Sequence, residues 1–217
     1  MKIIITIALL IHTTIGLFAQ SATKEELLYS NTFSVLSGLV QPLVLRGGNV
    51  EVNYTTKRMI FDYSHGFNLN PPTAGDFKTQ NVELRLPIST GFGIGYRINS
   101  SLDIRFEPKL HSYEVYYNGE PQIEANKINA YKTFTLGLGM YYRYFPFRNS
   151  ESKFLQGITT SSSIRWWQNV GTTLSNDEFS YDNKLTGNTE TLKAANIGFG
   201  NTPLVLNIAI GYTFGGK

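Results

Sequence analysis

From Val82 to Ile98 apolar residues recur at every second position: Val82, Leu84, Leu86, Ile88, Phe92, Ile94, Tyr96 and Ile98, with Thr90 as the weak member. The intervening residues are Glu83, Arg85, Pro87, Ser89, Gly91, Gly93, Gly95 and Arg97. Alternate side chains of an extended strand point to opposite faces. The pattern therefore predicts one strand with a greasy face and a face of charges and glycines. Asn99-Ser100-Ser101 turns the chain into a second strand of the same kind. Leu102, Ile104, Phe106, Pro108 and Leu110 lie on one side of it, and Asp103, Arg105, Glu107, Lys109 and His111 on the other. A soluble sandwich keeps short strands and turns its polar face to water. Long strands with an apolar outside and a charged inside predict a transmembrane β-barrel.

The same period runs weakly through 49–56 and clearly through 58–68, 131–147, 154–169 and 203–214. Breakers separate these runs: Pro71-Pro72 and Ala74-Gly75 in one loop, a polar stretch over 118–130, and another from Thr173 to about Gly200. Connections alternate between short turns at Lys57, Ser100 and Glu151 and long loops near Pro72, Ile123 and Asp182. Bacterial barrels place short turns in the periplasm and long loops outside. With both ends of the barrel in the periplasm, parity demands a further rising strand, and Thr32–Leu45, turning at Gly47-Gly48, is the segment for it. Its alternation is imperfect and it holds Pro42, so a helix or plug folded into the lumen is the alternative. The expected fold is all-β: an eight-stranded antiparallel up-and-down transmembrane β-barrel over 32–217.

The N-terminus reads as a signal peptide over 1–20, with Lys2 before a mostly apolar Ile3–Phe18 and Ala19 at a cleavage position. Residues 21–31 read as a polar periplasmic lead-in. Absence of cysteine among the 217 residues excludes disulfides, thiolate metal sites, thiol nucleophiles and a lipid-bearing cysteine. A net charge of +3 makes no case for nucleic acid.

The charged strand faces gather Asp62, Glu83, Arg85, Arg97, Asp103, Arg105, Glu107, Lys109, Arg143 and Arg165 into an expected lumen network. Arg97 should lie near Asp103, and Arg85 near Glu114. An eight-stranded barrel is only wide enough for side chains or one small ligand, so mutually paired charges would fill it; the functional alternative is a narrow, charge-lined pore. Tyr96, Tyr142, Tyr144, Tyr212 and Phe214 are expected in an aromatic girdle at the periplasmic end. Tyr63, Phe67, Tyr116, Tyr117, Tyr131 and Trp166-Trp167 are expected nearer the outer end. Gly91, Gly93 and Gly95 fall on one strand face, where they leave room for bulky lumen neighbours. His65 and His111 make a weak metal case: His65 is expected at the interface, His111 in the lumen.

Tyr63 to Asn68 resembles the His-x-Ser-Asn strand of outer-membrane lipid A deacylases, in which a same-face histidine activates the serine. Phe67 stands where that serine would be. As a whole, the leader, the alternating strands from Arg58 onward and the terminal Asn207–Phe214 strand resemble the small outer-membrane β-barrel superfamily of Gram-negative bacteria, the OmpX/OmpA/OmpW-like group. Gly215-Gly216-Lys217 depart from that group's aromatic C-terminus. The resemblance is architectural and carries no catalytic residue. It implies a location in the bacterial outer membrane, with lipid, lipopolysaccharide and the barrel-assembly machinery as partners. The chain is expected to be a monomer without cofactor, metal or enzymatic activity, with a structural or interaction role through its outer loops. A narrow pore or small hydrophobic-solute transporter is the alternative, and a lipid A hydrolase the disfavoured one.

Overall fold

A computed structural model describes residues 31–72 and 76–215. The signal peptide and all of the lead-in except Asn31 lie outside the described residues. Eight strands form the barrel: β1 (Thr32–Gly38), β2 (Gly48–Thr55), β3 (Met59–Leu69), β4 (Val82–Arg97), β5 (Leu102–Tyr117), β6 (Lys127–Tyr144), β7 (Ile158–Thr172) and β10 (Leu204–Gly215). Each pairs antiparallel with its neighbour, and β10 returns to β1 with Phe33 opposite Phe214 and Val35 opposite Tyr212. Closure removes the unpaired edges that an open sheet would expose.

The parity argument holds for Thr32–Gly38, and of the alternative only a short helix is found, with none of its residues buried in the lumen. Thr32–Gly38 is the eighth barrel strand, alternating strictly between buried and exposed residues. The chain then leaves the wall as the short helix α1 (Val40–Val44), where Pro42 removes no ladder hydrogen bond. Two further single-turn helices, α2 (Asp76–Thr79) and α3 (Lys153–Gln156), lie in connections. In α3 the Ser152 hydroxyl accepts from the Leu155 amide at 3.5 Å, so Phe154 is helical and β7 starts only at Ile158.

Two expectations fail in the half toward the long loops. The stretch from Thr173 to Gly200 is not all loop: β8 (Glu178–Asp182) and β9 (Thr189–Lys193) pair as a separate hairpin. The unbroken alternation of Val82–Ile98 is also broken. Between Arg85, opposite Glu114, and Ile88, opposite Ser112, β4 holds one residue more than β5. This is a β-bulge, and Pro87, which has no amide hydrogen to donate, stands in it. One extra residue exchanges the faces of everything beyond it. Gly91, Gly93, Gly95 and Arg97 point inward below the bulge, whereas Val82, Leu84 and Leu86 point inward above it.

The wall is the reverse of a soluble protein. Phe33, Phe61, Phe92, Ile94, Phe106, Leu138 and Ile164 face outward and are exposed, while Arg105, Glu107, Lys109 and Arg165 are buried.

Candidate functional site

The lumen has two layers. The layer toward the short-turn end is charged and is centred on Arg105 of β5. Its Nε lies 2.6 Å from Asp103 Oδ1, and its Nη1 lies 2.9 Å from Glu51 Oε1 and 3.7 Å from Asp62 Oδ2. Nη1 also donates to Asn53 Oδ1 at 2.8 Å. The guanidinium stacks 3.7 Å from the Tyr141 ring centre, and Arg165 lies over the same ring at 4.8 Å. Glu51 receives a second cation, Arg165, at 3.6 Å, and Asp103 receives Arg143 at 3.5 Å. Lys109 pairs with Glu107 at 3.4 Å and donates to the Ser64 hydroxyl. Glu107 also accepts from the Trp167 indole at 3.3 Å.

These contacts cross the barrel. Glu51 is on β2 and Arg105 on β5, three strands apart around the ring. Arg143 on β6 reaches Thr55 on β2, four strands away and diametrically opposite, at 3.4 Å. Wall glycines give these side chains their space. A Cβ at Gly93 would stand 2.1 Å from Asp62 Oδ1, and one at Gly137 would stand 1.8 Å from Trp167 Cδ1. Above this layer His111 is fully buried, with Ser89 Oγ 2.8 Å from Nδ1 and Thr135 Oγ1 2.9 Å from Nε2. Both ring nitrogens are engaged, by hydroxyls rather than by a carboxylate.

The layer toward the long loops is apolar. The inward faces of Val82, Leu84, Leu86, Tyr113, Val115 and Tyr131 meet Phe179, Tyr181 and Leu192 of the β8–β9 hairpin, with Phe77 of α2 alongside. The hairpin is tied down at its rim: the Tyr181 hydroxyl donates to the Gln80 carbonyl at 2.6 Å, and Tyr117 donates to the Asp182 carbonyl at 2.6 Å. Lys184 pairs with Glu120 at 2.5 Å.

Of the ten expected lumen charges, eight face the interior: Asp62, Arg97, Asp103, Arg105, Glu107, Lys109, Arg143 and Arg165. Arg97 donates to the backbone carbonyls of Thr56 and Ser100 at the short-turn end. Glu83 and Arg85 are corrections, because the Pro87 bulge turns both to the outer face. There Arg85 meets Glu114 at 3.5 Å, and Glu114 also binds Lys127 at 3.1 Å. Glu83 accepts from Gln122. The expectation missed Glu51, Tyr141 and Trp167. Glu51 was readable opposite Val50 and Val52, but its strand is short and weakly patterned. Tyr141 shares the inward face of its strand with Arg143 but carries no charge to mark it as part of the network, and Trp167 is expected in the outer girdle.

Tyr63, Phe67, Tyr96, Tyr142, Tyr144, Trp166, Tyr212 and Phe214 lie on the outer wall, with one correction of level, and three other expected girdle residues are corrected in face. Tyr96, Tyr142, Tyr144, Tyr212 and Phe214 stand close to the short-turn end; Tyr212 is 4.7 Å from Phe214 and 5.5 Å from Phe154. Phe67 pairs with Gly48 where β2 begins, and Trp166 with Leu204 where β10 begins, so both mark the opposite level. Tyr63 is midway up β3, opposite Val52 and Phe92, and belongs to the middle of the wall. Tyr116, Tyr131 and Trp167 are buried rather than lipid-facing. His65 is on the outer wall between Tyr63 and Phe67, each 6.4 Å away, whereas Ser64 points into the lumen. The strand period thus keeps this histidine and serine on opposite sides of the wall.

No protein-family model matches the chain, and no curated protein does. Among solved structures, the chain is similar to a major outer membrane protein from Thermus thermophilus, at 11% identity and a TM-score of 0.44, over 85% of this chain and 99% of that one.

Proposed function

We propose that this protein is an outer-membrane barrel with a closed lumen, acting through its lipid-facing wall and its long-loop end rather than by conducting solutes. The observation that carries this reading is the set of cross-lumen contacts Arg105–Glu51, Arg165–Glu51 and Arg143–Thr55. Side chains from opposite strands occupy the axis that ions would follow, and the apolar hairpin cap stands above them. The apolar outer wall supports membrane insertion, since a charged lumen within a greasy wall suits lipid and not water. Thr32 opposite Gly215 puts both barrel ends at the short-turn side, which this reading assigns to the periplasm. Lipid and lipopolysaccharide are then the surrounding partners, and the role is structural or interactive, with no catalytic site.

Planar-bilayer recording of the refolded protein tests the closed lumen. The expected trace is flat. Stable conductance steps that disappear in Arg105→Met or Glu107→Gln would overturn the closed-lumen reading. Outer-membrane fractionation with heat-modifiable gel mobility tests the location, and recovery in the soluble periplasm would refute it.

A further inference from the structure

Charge is distributed unequally between the two ends of the barrel. The short turns 56–58, 98–101 and 145–157 hold four basic residues, Lys57, Arg58, Arg148 and Lys153, against one acidic residue, Glu151, a net charge of +3. The opposite end, taken as 39–47, 70–85, 114–132 and 173–203, holds nine acidic and seven basic residues, a net charge of −2. Three of the seven cations at that end are engaged by carboxylates: Arg85 and Lys127 with Glu114, Lys127 with Glu124 at 2.5 Å, and Lys184 with Glu120. Three of the basic residues of the short turns, Arg58, Arg148 and Lys153, are set beside exposed aromatics. Arg58 donates from Nη1 to the Tyr96 hydroxyl at 2.7 Å, at the foot of the apolar wall. Arg148 and Lys153 flank exposed Phe147 and Phe154, and Phe154 stacks on Tyr212.

An aromatic ring at the headgroup level with a cation just beyond it is the arrangement that meets an anionic lipid: the ring occupies the acyl boundary and the cation meets the phosphate. The β2–β3 and β6–β7 turns lie on opposite sides of the ring, so the two basic clusters face separate lipids around the rim rather than one pocket. We infer that the short-turn rim is a collar selecting anionic phospholipid headgroups, of the phosphatidylglycerol or cardiolipin class, in the leaflet it touches. This inference rests on the membrane-spanning reading above.

The test uses the full mature chain, refolded into phosphatidylcholine vesicles carrying trace spin-labelled phosphatidylglycerol or phosphatidylcholine. Electron paramagnetic resonance gives the motionally restricted fraction of each. The expected preference for phosphatidylglycerol is roughly three-fold or more at low salt, and it collapses at high salt. It falls close to parity in Lys57→Gln/Arg58→Gln/Arg148→Gln/Lys153→Gln. Each half-rim pair, Lys57→Gln/Arg58→Gln or Arg148→Gln/Lys153→Gln, removes part of it, which keeps the test open if the quadruple variant does not fold. Lys127→Gln/Lys132→Gln at the other end leaves it unchanged. A wild-type protein that inserts, shown by heat-modifiable mobility, yet restricts both lipids equally overturns the collar alone. So does a preference that survives the rim substitutions. A protein that does not insert overturns the membrane reading and the collar with it.

Discussion

Replacing Arg105 with methionine is the sharpest probe of the lumen. Methionine keeps most of the length of the side chain and removes its charge. Three carboxylates lose a cation, but not equally. Glu51 keeps Arg165 at 3.6 Å, and Asp103 keeps Arg143 at 3.5 Å. Asp62 has Arg105, at 3.7 Å, as its ion-pair partner among the described residues, and neither of its oxygens accepts a hydrogen bond there. Arg105→Met therefore strands one buried carboxylate, and removing one member of a buried pair costs about 3–5 kcal/mol. Asp62→Asn alone costs only about 1 kcal/mol, because it gives up a long ion pair without a hydrogen bond. In the Arg105→Met background the same change removes the stranded charge and recovers about 1–3 kcal/mol, the size of coupling expected for contacting groups. Urea unfolding in phosphatidylcholine vesicles, followed by tryptophan emission, measures all four corners of the cycle. Trp167 lies in the lumen beside Lys109, 4.4 Å from its ring centre, so the signal reports on the network itself. If the two substitutions add to within about 0.5 kcal/mol, the stranding argument fails.

Three further outcomes check other parts of the structure. Gly137→Ala places a methyl group where the Trp167 indole now lies, 1.8 Å from Cδ1, and should cost about 1–3 kcal/mol in the same unfolding assay with a shifted emission maximum; an unchanged spectrum would contradict the packing. Phe92→Arg, in the middle of the outer wall, should destabilise the vesicle-inserted protein by about 2–4 kcal/mol, and a neutral result would argue that this face does not meet lipid. The Glu190 carboxyl of the hairpin is held below its usual range by hydrogen bonds from Asn183, Thr186 and Tyr181. Because its folded value is depressed, its support for the hairpin is complete above about 4.5 and is lost as pH falls through the lowered value; proteolysis across 183–188 should accelerate on acidification through that window in wild type, and lose that dependence in Glu190→Gln.

Residue order along the chain was enough for the barrel, its strand count and most of its two faces. A period of two over strands longer than a soluble sheet needs already says which side chains share a surface, and the alternation of short and long connections says which ends lie together. Asp103, Arg105, Glu107 and Lys109 were legible for that reason, as was the space left by Gly93. Pairing between strands settled what remained. Pro87 looks like any other residue of the inward face until its pairing with β5 shows the extra residue. That one residue carries Glu83 and Arg85 outside and brings Val82, Leu84 and Leu86 in to meet a hairpin that periodicity left as loop. Closure chose the partners across the lumen. Glu51 and Arg105 are 54 residues apart, and a face assignment cannot say which rung of β2 comes opposite which rung of β5 until the ring is joined. Periodicity is a local property of one strand, whereas register and shear belong to all eight at once.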